Sequence, residues 1–122
     1  LLKFAVCREP YERFTSAFNF LKGGGINEVD LIYSKEILST FNNPDEFAVA
    51  LGDRNFREMA LQKLHFHTQC SFVCKNCGTI MVDYLIDFQN LMVDLPKVLG
   101  SQMPREIQHL NRTPRQNETA FF

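Results

Sequence analysis

Arg8, Arg13 and Ser16 are the residues whose types and spacing could act together on one ligand. Arginine presents a planar fork that matches two oxygens of a phosphate, and a serine hydroxyl can donate a further hydrogen bond. Arg13 and Ser16 are three residues apart, so on a helix they share a face. Arg8 stands two residues before Pro10, which suits a first helical position because that N–H would be unpaired anyway. A helix starting there would add free main-chain N–H groups and the positive end of its dipole. An anion is the natural occupant. On these residues alone a second reading stays open: Glu9 and Arg13, at i and i+4, form a solvated pair worth ~0.2–0.5 kcal/mol, with Ser16 merely tolerated.

The elements that must position these residues are a strand and the helix it feeds. Leu1, Leu2, Phe4, Ala5, Val6 and Cys7 make a nearly continuous apolar run, which predicts a strand covered on both faces. Phe14, Ala17, Phe18 and Leu21 follow at helical spacing, and Gly23, Gly24 and Gly25 end the helix. That glycine run follows a helix rather than preceding one, so it reads as an exit and not as a phosphate loop. Cys7 reads as a small core residue.

Residues 28–41 carry Val29, Ile32, Tyr33, Ile37, Leu38 and Phe41 at roughly helical spacing and predict an amphipathic helix. Asn43 and Pro44 read as cap and first position of another, with Phe47, Val49, Ala50 and Leu51 on its buried side and Gly52 at its end. Residues 55–64 are a third helical pattern. Residues 71–74 and 79–86, on either side of Lys75-Asn76-Cys77-Gly78, predict a β-hairpin. Phe88, Leu91, Met92 and Leu95 support a last helix, broken or kinked near Pro96 and finished by Gly100. The polar tail, 105–122, should be largely irregular apart from the stretch around His109-Leu110-Asn111.

At 122 residues, 45% apolar and 22% charged, the chain predicts a single soluble domain over 1–122. Thirteen basic residues against fourteen acidic ones, a net charge of −1, exclude a partner such as bulk nucleic acid, so any basic site is local. No apolar run approaches the roughly 20 residues of a membrane helix, and no signal-peptide pattern is present. The chain begins Leu1-Leu2-Lys3 inside what reads as a core strand, which predicts an N-terminally truncated fragment. His65, His67, Cys70, Cys74 and Cys77 are dense enough to make four tetrahedral zinc ligands, but Cys74-x-x-Cys77 is only half of a knuckle. Only Cys70 with His65 or His67 could complete it, so no metal is expected. A Cys70–Cys77 or Cys74–Cys77 disulfide is the secretory alternative, and free thiols are the plain one.

Arg8-x-Pro10-x-x-Arg13-x-x-Ser16, behind an apolar strand, resembles the 3′-phosphate-binding segment of sulfotransferases that use 3′-phosphoadenosine-5′-phosphosulfate (PAPS), most closely the carbohydrate branch with its many bacterial members. The resemblance runs on through a Gly-Gly exit, His65-Phe66-x-x-Gln69, Val82-Asp83-Tyr84-Leu85, Phe88-x-Asn90-Leu91 and His109-Leu110-Asn111-Arg112-Thr113, in the family's order. It implies an α/β fold, a partial P-loop-like parallel sheet flanked by helices. It also implies transfer of a sulfuryl group from PAPS to a hydroxyl of a saccharide or glycan. Arg8 and Ser16 would hold the donor's 3′-phosphate, and Arg13 would assist or brace the helix. The family's 5′-phosphosulfate loop has no counterpart here and should lie upstream of Leu1. Its general base usually lies in that same region, leaving His65 as the local candidate, since an imidazole can take a proton near neutral pH. The compartment would be the cytoplasm for a bacterial member and the Golgi lumen for an animal one. Where the family has a glycine, a basic residue and an acid, this chain has Ile86, Asp87 and Gln89. An acid in place of a base changes the charge near a polyanionic donor by two units and opposes binding, which favours a catalytically inactive binding domain as the alternative.

Overall fold

The computed structural model describes residues 1–76 and 78–107. Two four-residue strands, β1 (Phe4–Cys7) and β2 (Tyr84–Asp87), pair in parallel, Phe4 opposite Tyr84 and Cys7 opposite Asp87. Parallel neighbours need a long crossover. Here it is helical: α1 (Pro10–Lys22), α2 (Glu28–Tyr33), α3 (Pro44–Ala50), α4 (Arg54–Ala60) and α5 (Gln69–Val73), with α6 (Leu91–Leu99) following β2. The class is α/β, a small parallel sheet flanked by helices.

The helices begin where their caps require. Asn27, Asn43, Asp53 and Thr68 each accept a main-chain N–H of the first turn of α2 to α5, and Pro10 and Pro44 open α1 and α3. The helix expected over 28–41 changes pitch midway, α2 continuing as a π-helical turn, Ser34–Leu38. Lys22 Nζ, at the end of α1, donates to the carbonyls of Leu38, Ser39 and Phe41, which closes that turn against α1. The pattern over 55–64 is helical only to Ala60; a 3₁₀ turn, Leu64–Phe66, then redirects the chain.

The core lies among the crossover helices rather than on the sheet. Phe18, Leu21, Leu38, Phe47 and Ala60 are buried together, with Phe14, Phe41, Phe56 and Phe66 packed around them. Phe47 has no exposed surface and meets five other phenylalanine rings at centroid distances of 5.3–6.1 Å. Burying such a side chain contributes about 1.5–3 kcal/mol.

Three expectations need correction. The strand predicted to be covered on both faces is not: Phe4 and Val6 remain 38% and 42% exposed, because among the described residues α6 packs against β2 and no element covers that face of β1. The β-hairpin shrinks to a turn. Ser71–Val73 are the end of α5, among the described residues Cys74 and Ile80 alone bridge antiparallel, and Tyr84–Asp87 turn away to pair with β1. Thr68 explains this, since its hydroxyl and carbonyl take the Ser71 N–H and hydroxyl and fix a helical turn where the Asn and Gly that follow suggested a strand. Pro96 breaks nothing: α6 runs through it, and the carbonyl it leaves unpaired, four residues back, belongs to the solvent-exposed Met92. Gly100, at φ +55°, ends α6 as expected. The stretch around His109-Leu110-Asn111 and most of the predicted tail, 108–122, lie outside the described residues, as does Cys77.

Candidate anion-binding site

The start of α1 is not the donor array that its sequence suggests. The Glu9 carboxylate accepts the N–H groups of Tyr11 and Glu12 at 3.0 and 2.8 Å, and those two bonds hold its carboxyl below its ordinary range. Pro10 has no N–H and Arg13 N donates to the Glu9 carbonyl, so the helix caps itself. The pair expected between Glu9 and Arg13 is replaced by Arg8 with Glu12, 3.9 Å apart. What remains for an anion is the side of α1, one to two turns in.

There Arg8, Arg13, Ser16, Ala17, Phe20, Ile26 and His65 line one cavity of about 440 Å³. The three residues singled out by spacing are therefore brought together, and His65 joins them from 49 positions downstream of Ser16. Arg8 Nε and His65 Nδ1 are buried with no hydrogen-bond partner among the described residues. Both residues line the cavity, and Arg8 Nε is the atom that stands 3.9 Å from the Glu12 carboxylate. A second cavity, of about 510 Å³, opens where β1 and β2 end, lined by Cys7, Arg8, Glu9, Leu85, Ile86, Asp87 and Gln89. Arg8 belongs to both.

Each basic group is held by a specific neighbour. The Arg8 guanidinium lies over the Phe88 ring at 4.5 Å, a cation–π contact that also fixes its plane. Its main chain is gripped by Gln69, whose Oε1 accepts the Arg8 N–H and whose Nε2 donates to the Arg8 carbonyl, both at 2.7 Å. Arg13 Nη1 donates to the His67 carbonyl at 2.6 Å, and its guanidinium stands 5.9 Å from the Phe72 ring. His67 and the residues of α5 thus brace both arginines.

His65 stacks on Phe20 with ring centroids 5.6 Å apart. Burial pushes its imidazole below its ordinary pKa, Asp30 opposes that shift, and Lys63 and Arg13 reinforce it. Behind it, Lys63 Nζ meets Asp30 Oδ1 at 2.5 Å, and Asp30 Oδ2 accepts the Ile26 N–H at 3.2 Å. This pair ties the turn carrying His65 to the loop carrying Ile26, two walls of the same cavity.

The three residues that depart from the resembled pattern have local employment. Ile86 is buried in the sheet, and Asp87 Oδ1 accepts the Gln89 N–H at 2.9 Å, capping a 3₁₀ turn, Phe88–Asn90. Asp87 nevertheless faces the cavity that shares Arg8. Among the described residues no three His, Cys, Asp or Glu side chains are placed to hold a metal ion, so His65, His67, Cys70 and Cys74 do not form a site by themselves. No described helix is long and apolar enough to cross a membrane.

Gln69 and Phe88 were visible in the sequence only as landmarks, and Glu12 not at all. A lone Gln or Phe carries no local signal when its partner lies 61 or 80 positions away. Comparison with curated proteins and with solved structures returns no match. Residues 1–121, nearly the whole chain, match the sequence profile described as Sulfotransferase family. With an apolar strand feeding a helix whose flank carries two braced arginines and a serine, this chain belongs to the sulfotransferase family, a family of transferases.

Proposed function

We propose that this chain supplies the 3′-phosphate half of a donor site that transfers a sulfuryl group from PAPS to a hydroxyl of a carbohydrate. The observation that carries the reading is the cavity on the flank of α1, where Arg8, Arg13 and Ser16 converge beside His65. A phosphate dianion answers the positive charge gathered in that cavity. Arg8 offers a guanidinium fixed in plane by Phe88, Arg13 a second one braced by the His67 carbonyl, and Ser16 a hydroxyl. In the transfer, the bond from sulfur to the bridging phosphate oxygen breaks as the acceptor oxygen bonds to sulfur, and the acceptor proton passes to a base. Catalysis of this kind rests on positioning and charge stabilisation.

His65 shares the 3′-phosphate end in this reading, whereas the reacting sulfur is carried on the 5′ side. We assign it to orienting the phosphate rather than to taking the acceptor proton. The acceptor compartment would be the cytoplasm of a bacterium or the Golgi lumen of an animal cell.

A second reading, a donor-binding domain without transferase activity, is favoured by one observation: Asp87 stands in the cavity that shares Arg8, where a base would suit a polyanion better. Incubation of the full-length protein with sulfur-35 PAPS and a panel of saccharides separates the two. Label in a saccharide, lost in Arg8→Ala, supports the transferase. Donor binding without transfer supports the second reading, and no donor binding overturns both.

A further inference from the structure

We propose that Gln69 is a positioning residue of the anion site, acting through Arg8 by holding both main-chain polar groups of that residue. The inference rests on the phosphate reading of the cavity. Its basis is geometric. Asp83 N and Tyr84 N both donate to the Lys3 carbonyl, so the odd-numbered residues of β1 turn their polar groups toward β2. Main-chain groups alternate between the two edges along a strand, so those of Phe4, Val6 and Arg8 face the other edge. At Arg8 the Gln69 amide takes the place a neighbouring strand would occupy, one acceptor and one donor at 2.7 Å each.

A side-chain amide is suited to this, because it carries an acceptor and a donor side by side as a peptide group does. The contact is partly buried and joins residues 61 positions apart. With N–H and carbonyl both fixed, the direction in which the Arg8 side chain leaves the main chain is fixed too. The Phe88 ring then sets the plane of the guanidinium. Gln69 does not line the cavity, so its effect must pass through Arg8.

The substitutions divide the two bonds. Gln69→Leu removes both at nearly constant shape. Gln69→Glu keeps the acceptor for Arg8 N but sets a carboxylate against the Arg8 carbonyl. Gln69→Asn keeps the chemistry on a shorter arm. The measurement is calorimetric titration of the whole chain with 3′,5′-ADP, alongside thermal unfolding and the double variant with Arg8→Ala.

The proposal expects Gln69→Leu and Gln69→Glu to bind roughly tenfold more weakly, the scale of one to two hydrogen bonds. It expects Gln69→Asn to recover part of that, and Gln69→Leu to add nothing in the Arg8→Ala background, since two residues acting as one unit are not additive. Binding within twofold of wild type by the Leu and Glu variants overturns it, as does an undiminished Gln69→Leu effect in the Arg8→Ala background. Should Gln69→Leu fail to fold, the Glu and Asn variants carry the comparison. Failure of the wild type to bind 3′,5′-ADP overturns the phosphate reading itself and this proposal with it. Failure of the Gln69 proposal alone leaves wild-type binding and its loss in Arg8→Ala intact.

Discussion

Replacing Lys63 by Met tests how the cavity wall is held together. The substitution keeps a long apolar stem and removes the charge, leaving Asp30, whose side chain is 4% exposed, with the Ile26 N–H as its surviving side-chain bond. At 2.5 Å the attraction between the two charges is about 6–7 kcal/mol gross at an effective dielectric constant near 20, before the loss of hydration is subtracted. Breaking a buried pair by removing one partner costs about 3–5 kcal/mol. The Lys63 side chain is 14% exposed, and solvent at its edge screens part of this, so the expected loss is about 2–4 kcal/mol at pH 7.

The pH dependence of that loss has a definite sign. In the native chain the Lys63 ammonium, aided by the Ile26 N–H and against burial, holds the Asp30 carboxyl below its ordinary value of 3.8. A depressed carboxyl contributes stability that is present above its unfolded value and lost as pH falls through the folded one. Without Lys63, burial raises that carboxyl and lets it neutralise, so the gap between wild type and variant narrows as pH falls and closes only below the depressed wild-type value. Urea unfolding followed by circular dichroism at pH 7 and at steps down to about pH 2 measures both. Asp30→Asn added to Lys63→Met should recover most of the loss, since no charge is then left buried. A single-variant loss under about 1 kcal/mol at pH 7, or one that grows as pH falls, refutes the reasoning.

Two further perturbations address the rest of the frame. Phe47→Ala opens a hole ringed by five phenylalanines and should cost about 3–5 kcal/mol in urea unfolding, among the largest effects of any single core truncation here. Gly25→Ala should cost at least about 2 kcal/mol in the same assay, because Gly25 sits at φ +63° and a methyl there would run into the Asp30 side chain. A neutral Gly25→Ala would mean that the loop beside Ile26 is not built as described.

Helix starts were legible because caps and prolines act locally: Asn43-Pro44 opened α3, and the proline-led helix after Arg8 formed as spaced. The α/β class followed from the family resemblance, whereas the apolar run of β1 by itself pointed only to a strand. The hairpin was misread because the turn residues Asn76 and Gly78 pointed to one, and the Thr68 cap outweighed the short apolar run of Phe72, Val73 and Cys74 before them. At the site, spacing identified Arg8, Arg13 and Ser16, since three side chains of one strand-to-helix turn can be judged from helical geometry. It also suggested a helix terminus open to an anion, and Glu9 closed it by turning back on its own helix. Gln69, Phe88 and the carbonyl of His67 could not be read in advance, because their roles depend on a crossover of some sixty to eighty residues folding back on Arg8.

On the proposed reading the Arg8 side chain binds a phosphate and does little for the fold. That side chain's links to the rest of the protein are a partly exposed ring contact with Phe88 and a 3.9 Å ion pair with Glu12, together worth about 1 kcal/mol or less. A guanidinium bonded to two phosphate oxygens contributes more, about 2–4 kcal/mol, or some thirty- to a thousandfold in affinity. Calorimetric titration of wild type and Arg8→Ala with 3′,5′-ADP, read beside their urea unfolding curves, measures both effects. One-to-one binding by the wild type is expected, with a loss of at least about thirtyfold in the variant and a stability change under about 1 kcal/mol. Equal binding by the two proteins, or no binding by the wild type, would contradict the proposed reading.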